Sequence, residues 1–111
     1  MEYSLKNFFE VSARWGLTPE QERLIIGVSD KDEVGKLDEP TPEQIKYILN
    51  IYKALHTLFP KNPDLADRWI HTPNRNVVFE NNPPIELLKR DLAGARAVYG
   101  YLAGQLSSPF S

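Results

Sequence analysis

Cysteine is absent from the 111 residues, which excludes a disulfide framework and thiolate chemistry. Histidine occurs only twice, as His56 and His71, too few for a zinc site, so no metal is expected. No apolar run approaches the roughly 20 residues that span a bilayer. The opening MEYSLKNFFE lacks the basic start and continuous apolar stretch of a secretory signal, so a soluble, cytoplasmic chain is expected. The formal net charge of -2 gives no basic excess of the kind a nucleic-acid binder presents. Val77-Val78-Phe79 is the sole β-prone run, and three residues without a partner make no sheet. Paired acids in an apolar setting, a nucleophile-histidine arrangement and a glycine-rich phosphate loop are all missing. Gly94, Gly100 and Gly104 have helical spacing and follow no strand, so they are no dinucleotide fingerprint. The expectation is a binding protein without catalysis or cofactor.

What remains is helical patterning in an ordinary globular composition, with 41% hydrophobic residues, enough for one cooperative unit. Leu5, Phe8, Phe9 and Trp15 share a helical face over residues 4–15, and Gly16 supplies a stop. Thr18-Pro19-Glu20-Gln21 forms a capping box that starts a short helix ending near Ile26. Gly27-Val28-Ser29 is a turn, and residues 30–37 read as a third short helix, giving a helix-turn-helix outline. Thr41-Pro42-Glu43-Gln44 repeats the start signal ahead of Ile45, Ile48, Leu49, Tyr52, Leu55 and Phe59 on one face. Tyr47, Ile51 and Leu58 add a second stripe about 120° away, which makes this helix central or dimer-forming. Pro60-Lys61-Asn62-Pro63 breaks it, and Asn62 caps a helix through Leu65, Ala66, Trp69 and Ile70. Residues 72–84 form a Pro- and Asn-rich loop. A short helix follows from Ile85 to Arg90, and Asp91 caps a last one that ends near Gly104. The fold class is all-α: a helix-turn-helix-like lobe with the central helix over 1–59, and a three-helix lobe over 60–111.

The order Trp69, Thr72-Pro73-Asn74, Phe79, Pro84-Ile85-Glu86-Leu87-Leu88, Gly94, Val98 and Tyr101-Leu102 resembles the toxin-binding domain of the Xre/MbcA/ParS antitoxin family. The resemblance covers about residues 60–106. Upstream, Trp15-Gly16-Leu17-Thr18 and Ile26-Gly27-Val28-Ser29 look like the degenerate Xre-type helix-turn-helix that precedes this domain. The resemblance implies a toxin partner, often of the RES type that attacks NAD, with the antitoxin covering the entrance to its active site. It also implies dimerisation and, often, repression of the protein's own operon. The chain departs from the pattern in carrying Glu80-Asn81-Asn82 where family members usually have glycines after Phe79. It also departs in a longer, more polar tail, Gln105 to Ser111.

Trp69 and Phe79 read as core. Asn74 has two readings, closure of an Asx-type turn or a toxin contact, and Arg75 beside it is the freer residue. His56 and His71 suit solvation and helix capping. On the last helix, Ala95, Val98, Tyr99 and Leu102 form an apolar face opposite Ala93, Ala97, Gly100 and Gly104. That second face, flanked by Arg96 and Tyr101, either meets the toxin or reflects good helix formers with a C-cap at Gly104. The candidate toxin-binding set is therefore Asn74, Arg75, Arg96, Ala97, Gly100, Tyr101, Gly104, Gln105, Leu106 and Phe110. Leu106 and Phe110 would be apolar anchors of a tail that plugs the toxin.

A DNA-binding regulator competes with this reading, as does an orphan interaction module that has lost its toxin. Between Ser29 and Glu43, however, six acids face only Lys31 and Lys36, the two candidate DNA contacts, and phosphate affinity comes from basic side chains. Residues 1–59 carry a balance of -3 and residues 60–111 one of +1, so the half that would hold DNA is the more acidic one.

Overall fold

A computed structural model describes residues 5–26 and 43–107. The expected third helix over 30–37, Lys31, Lys36 and Phe110 lie outside the described residues. Helix α1 spans Leu5–Trp15, α2 Pro19–Ile26 and α3 Glu43–Leu58. Then come α4, Pro63–Arg68, with a 3-10 turn over Trp69–His71, then α5, Pro84–Arg90, and α6, Leu92–Ser107. The described residues form no strand, so the architecture is all-α, as the sequence patterning predicts. None of these helices is long and apolar enough to cross a membrane.

The start and stop signals act as written in the sequence. Gly16 adopts φ 65°, and Gly16 N and Leu17 N donate to Ala13 O (3.2 Å) and Ser12 O (3.0 Å), the paired closure of a Schellman motif. Gln21 N donates to Thr18 Oγ1 at 3.1 Å and Thr18 N to Gln21 Oε1 at 2.9 Å, a complete capping box. Asn62 Oδ1 accepts from Leu65 N at 3.2 Å, and Asp91 Oδ1 accepts from Gly94 N at 2.7 Å.

Helix α3 is the central element, packed by α1, α2, α4 and α6. Both of its stripes are used within one chain: Ile45, Ile48, Leu49, Ile51 and Leu55 are fully buried, and Tyr47, Tyr52 and Leu58 pack at the margins. Buried residues from all six helices join one cluster, with α5 seated against α2, α6 and the 3-10 turn.

Four local expectations are corrected. Phe9 is turned outward, and Val11 and Ser12 take its place beside Phe8 and Trp15, because at 100° per residue the buried arc centres between Phe8 and Trp15. The helix after Asn62 changes to 3-10 winding at Trp69, and Leu65 is exposed while Ala66 and Ile70, one turn apart, face the core. Helix α6 does not stop near Gly104 but runs to Ser107, since Gly104 lacks the left-handed φ of a terminating glycine and Gln105 and Leu106 are good helix formers. The histidines are structural ties. His56 Nε2 lies 2.9 Å from Asp67 Oδ1, joining α3 to α4, and His71 Nε2 donates to Trp15 O at 2.6 Å, capping the end of α1 rather than its own turn.

Candidate functional site

The last helix presents the candidate surface. Its inner line of Gly94, Ala95, Val98 and Leu102 is buried against α3 and α5. The outer line, at 3.6-residue spacing, reads Ala93, Ala97, Gly100, Gly104 and Ser107, all exposed or half-exposed. A Cβ placed on Gly100 or Gly104 would meet nothing within 4 Å, so neither glycine is required by the packing of this chain. Arg96 is the single long side chain on this face, and it leans away. Its Nη2 lies 3.5 Å from Glu43 Oε1, and its guanidinium sits 6.0 Å from the centre of the Tyr47 ring. Hydrogen bonding to Tyr47 and the charge of Glu43 hold Arg96 above its ordinary pKa, so it stays cationic. The outcome is a strip of small, uncharged residues along four turns, flanked by Arg96. Leu106 continues the line of Val98 and Leu102 one turn past the core and is half exposed.

Tyr101 borders this strip and belongs to an aromatic trio. Its ring stacks on Trp69 at 6.1 Å and meets Phe79 edge-on at 5.2 Å, while Trp69 and Phe79 are 5.7 Å apart and also edge-on. Phe79 is buried, and Trp69 and Tyr101 are half-buried, so Tyr101 is partly structural.

Through Phe79 the trio anchors the loop of residues 72–83. Asn74 closes that loop. Its N donates to Asn82 O at 3.2 Å, its O accepts from Asn81 N at 3.0 Å, and its Oδ1 accepts from Asn76 N at 2.9 Å. Asn76 repeats the device, with Oδ1 accepting from Val78 N at 3.0 Å and its carbonyl from Phe79 N and Glu80 N. The Asx-turn reading of Asn74 thus describes its side chain, and Arg75 next to it is exposed.

Glu80 and Asn81 adopt φ of 50° and 66°. These are positions where the resemblance leads one to expect glycine, and the backbone keeps the left-handed path that glycine takes freely. A non-glycine residue costs about 1–2 kcal/mol there, against about 0.4–1 kcal/mol for the greater freedom of an unfolded glycine. The expected result is that Glu80→Gly stabilises the chain by up to about 1 kcal/mol, a rise of a few degrees in Tm by calorimetry. A lower Tm for this variant would show that the Glu80 side chain holds the turn.

The structure thus gathers Arg96, Ala97, Gly100, Tyr101, Gly104, Gln105 and Leu106 on one helix and puts Asn74 and Arg75 on the loop that Tyr101 braces. Sequence reasoning placed Gly94 in the last helix but missed its role in close helix packing, and it missed the exposure of the Val77-Val78 pair on the loop. Neither leaves a trace in hydrophobic periodicity. Among the described residues no group of three or more His, Cys, Asp or Glu is placed to hold a metal.

Comparison with known proteins bears on the same region. Residues 54–105 match the family model of the antitoxin Xre/MbcA/ParS C-terminal toxin-binding domain. Among curated proteins, the chain is 32% identical over 77 residues to the uncharacterized protein y4oB of Sinorhizobium fredii (strain NBRC 101917 / NGR234). That similarity takes in 63% of this chain and 59% of the relative's length.

Proposed function

We propose, from the match of residues 54–105 to the toxin-binding domain of the Xre/MbcA/ParS antitoxins, that this chain neutralises a cognate toxin by binding it. The toxin expected is of the RES type that degrades NAD, and the mode of action is occlusion of its active site. The chain itself acts without catalysis, in the cytoplasm, most simply as a homodimer, with residues 60–111 as the toxin-binding lobe. The outer strip of α6 is the contact face, together with the segment after Gly104 and with Arg75 on the neighbouring loop.

One observation carries the choice of face. Helix α6 keeps two exposed glycines, Gly100 and Gly104, that its own packing does not need, each costing about 0.5–1 kcal/mol relative to alanine. A second backbone lying along this strip offsets that cost by approaching closely. The extension of α6 to Ser107 changes the form of the proposed plug: Gln105 and Leu106 reach the toxin as a rigid last turn rather than as a loose tail.

The test is co-expression with the neighbouring reading frame, scoring cell survival and co-purification, for the full chain and for a chain truncated after Gly104. Leu102 is the last buried residue of α6, so the truncation leaves the core intact. The full chain is expected to rescue growth and co-purify, and the truncated chain to lose rescue. A neighbour that is harmless alone, or that fails to bind the full chain, removes the antitoxin reading.

A further inference from the structure

The loop of residues 72–83 bears two features that the fold does not consume. At its tip, Val77 is 84% exposed, the most exposed large aliphatic side chain among the described residues, and Val78 beside it is 39% exposed. Under the tip, between the loop and α5, lies a cleft of about 110 Å³. Val78, Phe79 and Leu87 line it together with Glu80, Asn82, Glu86 and Arg90, so its surface is mainly polar.

Exposed valine on a mobile loop would mean little, since single apolar residues are common on surfaces. This loop is held. Asn74 ties its two ends together, Asn76 pins the turn, and buried Phe79 locks it to Trp69 and Tyr101. Valine is itself stiff at χ1, so a partner that covers the tip orders almost nothing new. An exposed apolar side chain on an ordered loop is suited to serve as an interface anchor.

We infer that the Val77-Val78 tip is a second anchor for the toxin. This rests on the antitoxin reading above. Two observations select the toxin as occupant. The loop lies within the segment matched to a toxin-binding domain, and Phe79, which follows the tip, packs on Tyr101 at the border of the α6 strip. Through Phe79 and Tyr101 the loop is braced against the helix that carries the strip. Together they give a two-point contact that fixes the toxin's orientation as well as its affinity.

The experiment measures binding of the purified product of the neighbouring toxin reading frame to the full chain by calorimetry, with thermal melting in parallel. Val77→Asp is expected to weaken binding about tenfold or more. Its Tm should stay at the wild-type value, because the side chain touches no core. Val77→Ile, which keeps the tip apolar, should bind like wild type. If Val77→Asp binds as tightly as wild type, or if it melts lower, the tip is not an anchor and this inference is overturned while the antitoxin reading stands. If wild-type protein does not bind the neighbour at all, both fall together.

Discussion

Gly94→Ala is expected to unfold this protein more readily than any other single-methyl addition to its helices. A Cβ on Gly94 would collide with the Leu87 carbonyl oxygen and lie 2.9 Å from the Leu87 carbonyl carbon. Both atoms belong to the backbone of α5, so no rotamer change relieves the contact. Either α5 and α6 move apart or the Asp91 turn between them distorts, and that turn supplies the Oδ1 acceptor for Gly94 N–H. Separation would also loosen Leu87, Leu88, Ala95 and Val98, which are buried around this junction. Overpacking of this kind costs about 1–3 kcal/mol, and the alanine helix propensity returns about 0.5–1 kcal/mol. The net loss expected is about 1 kcal/mol, a fall in Tm of roughly 5 °C by calorimetry. Gly100→Ala serves as the matched control, since a methyl there meets open space. Equal melting of the two variants would show that the helices part at no cost.

The three glycines of α6 illustrate what the sequence discloses and what it withholds. Spacing alone places them in a helix and excludes a nucleotide loop, but does not separate Gly94, jammed against another backbone, from Gly100 and Gly104, which face outward. That distinction depends on where α5 lies, a fact of tertiary packing. Caps and stops, by contrast, were legible because their chemistry is local: Thr18 with Gln21, Gly16, Asn62 and Asp91 each act within three or four residues of themselves. The same locality explains the correction at Gly104. A glycine near a helix end looks like a stop, yet a stop needs a left-handed φ and a chain that turns back, and Gln105 and Leu106 simply continue the helix. His71 fails to read for the opposite reason, since its partner, the Trp15 carbonyl, is far away in the chain. In the candidate site, the residues of α6 followed from periodicity. The Val77-Val78 tip did not, because a run of β-branched residues in a loop signals only that no sheet is available.

Gly100 provides the sharpest separation between a structural and a binding role, because the two predict changes of opposite sign. In the isolated chain, Gly100→Ala is expected to raise stability by about 0.5–1 kcal/mol, since glycine within a helix is entropically unfavourable and nothing surrounds this position. Arginine is nearly as good a helix former as alanine, so Gly100→Arg should leave the free chain at least as stable as wild type. Against the toxin proposed to lie along this strip, the order is expected to reverse. If a second backbone lies along the strip of Ala93, Ala97, Gly100 and Gly104, a long side chain at its centre must be buried or must push the partner away. Such overpacking costs about 1–3 kcal/mol, or roughly 5- to 150-fold in affinity. Gly100→Arg should therefore melt no lower than wild type, bind the toxin weakly and fail to rescue growth on co-expression, with Gly100→Ala intermediate. Paired melting curves and calorimetric titrations on the same protein samples decide the matter. Retained affinity in a Gly100→Arg chain would move the toxin to another face, whereas lost affinity together with raised stability can arise only at a surface that the fold leaves open and the partner fills.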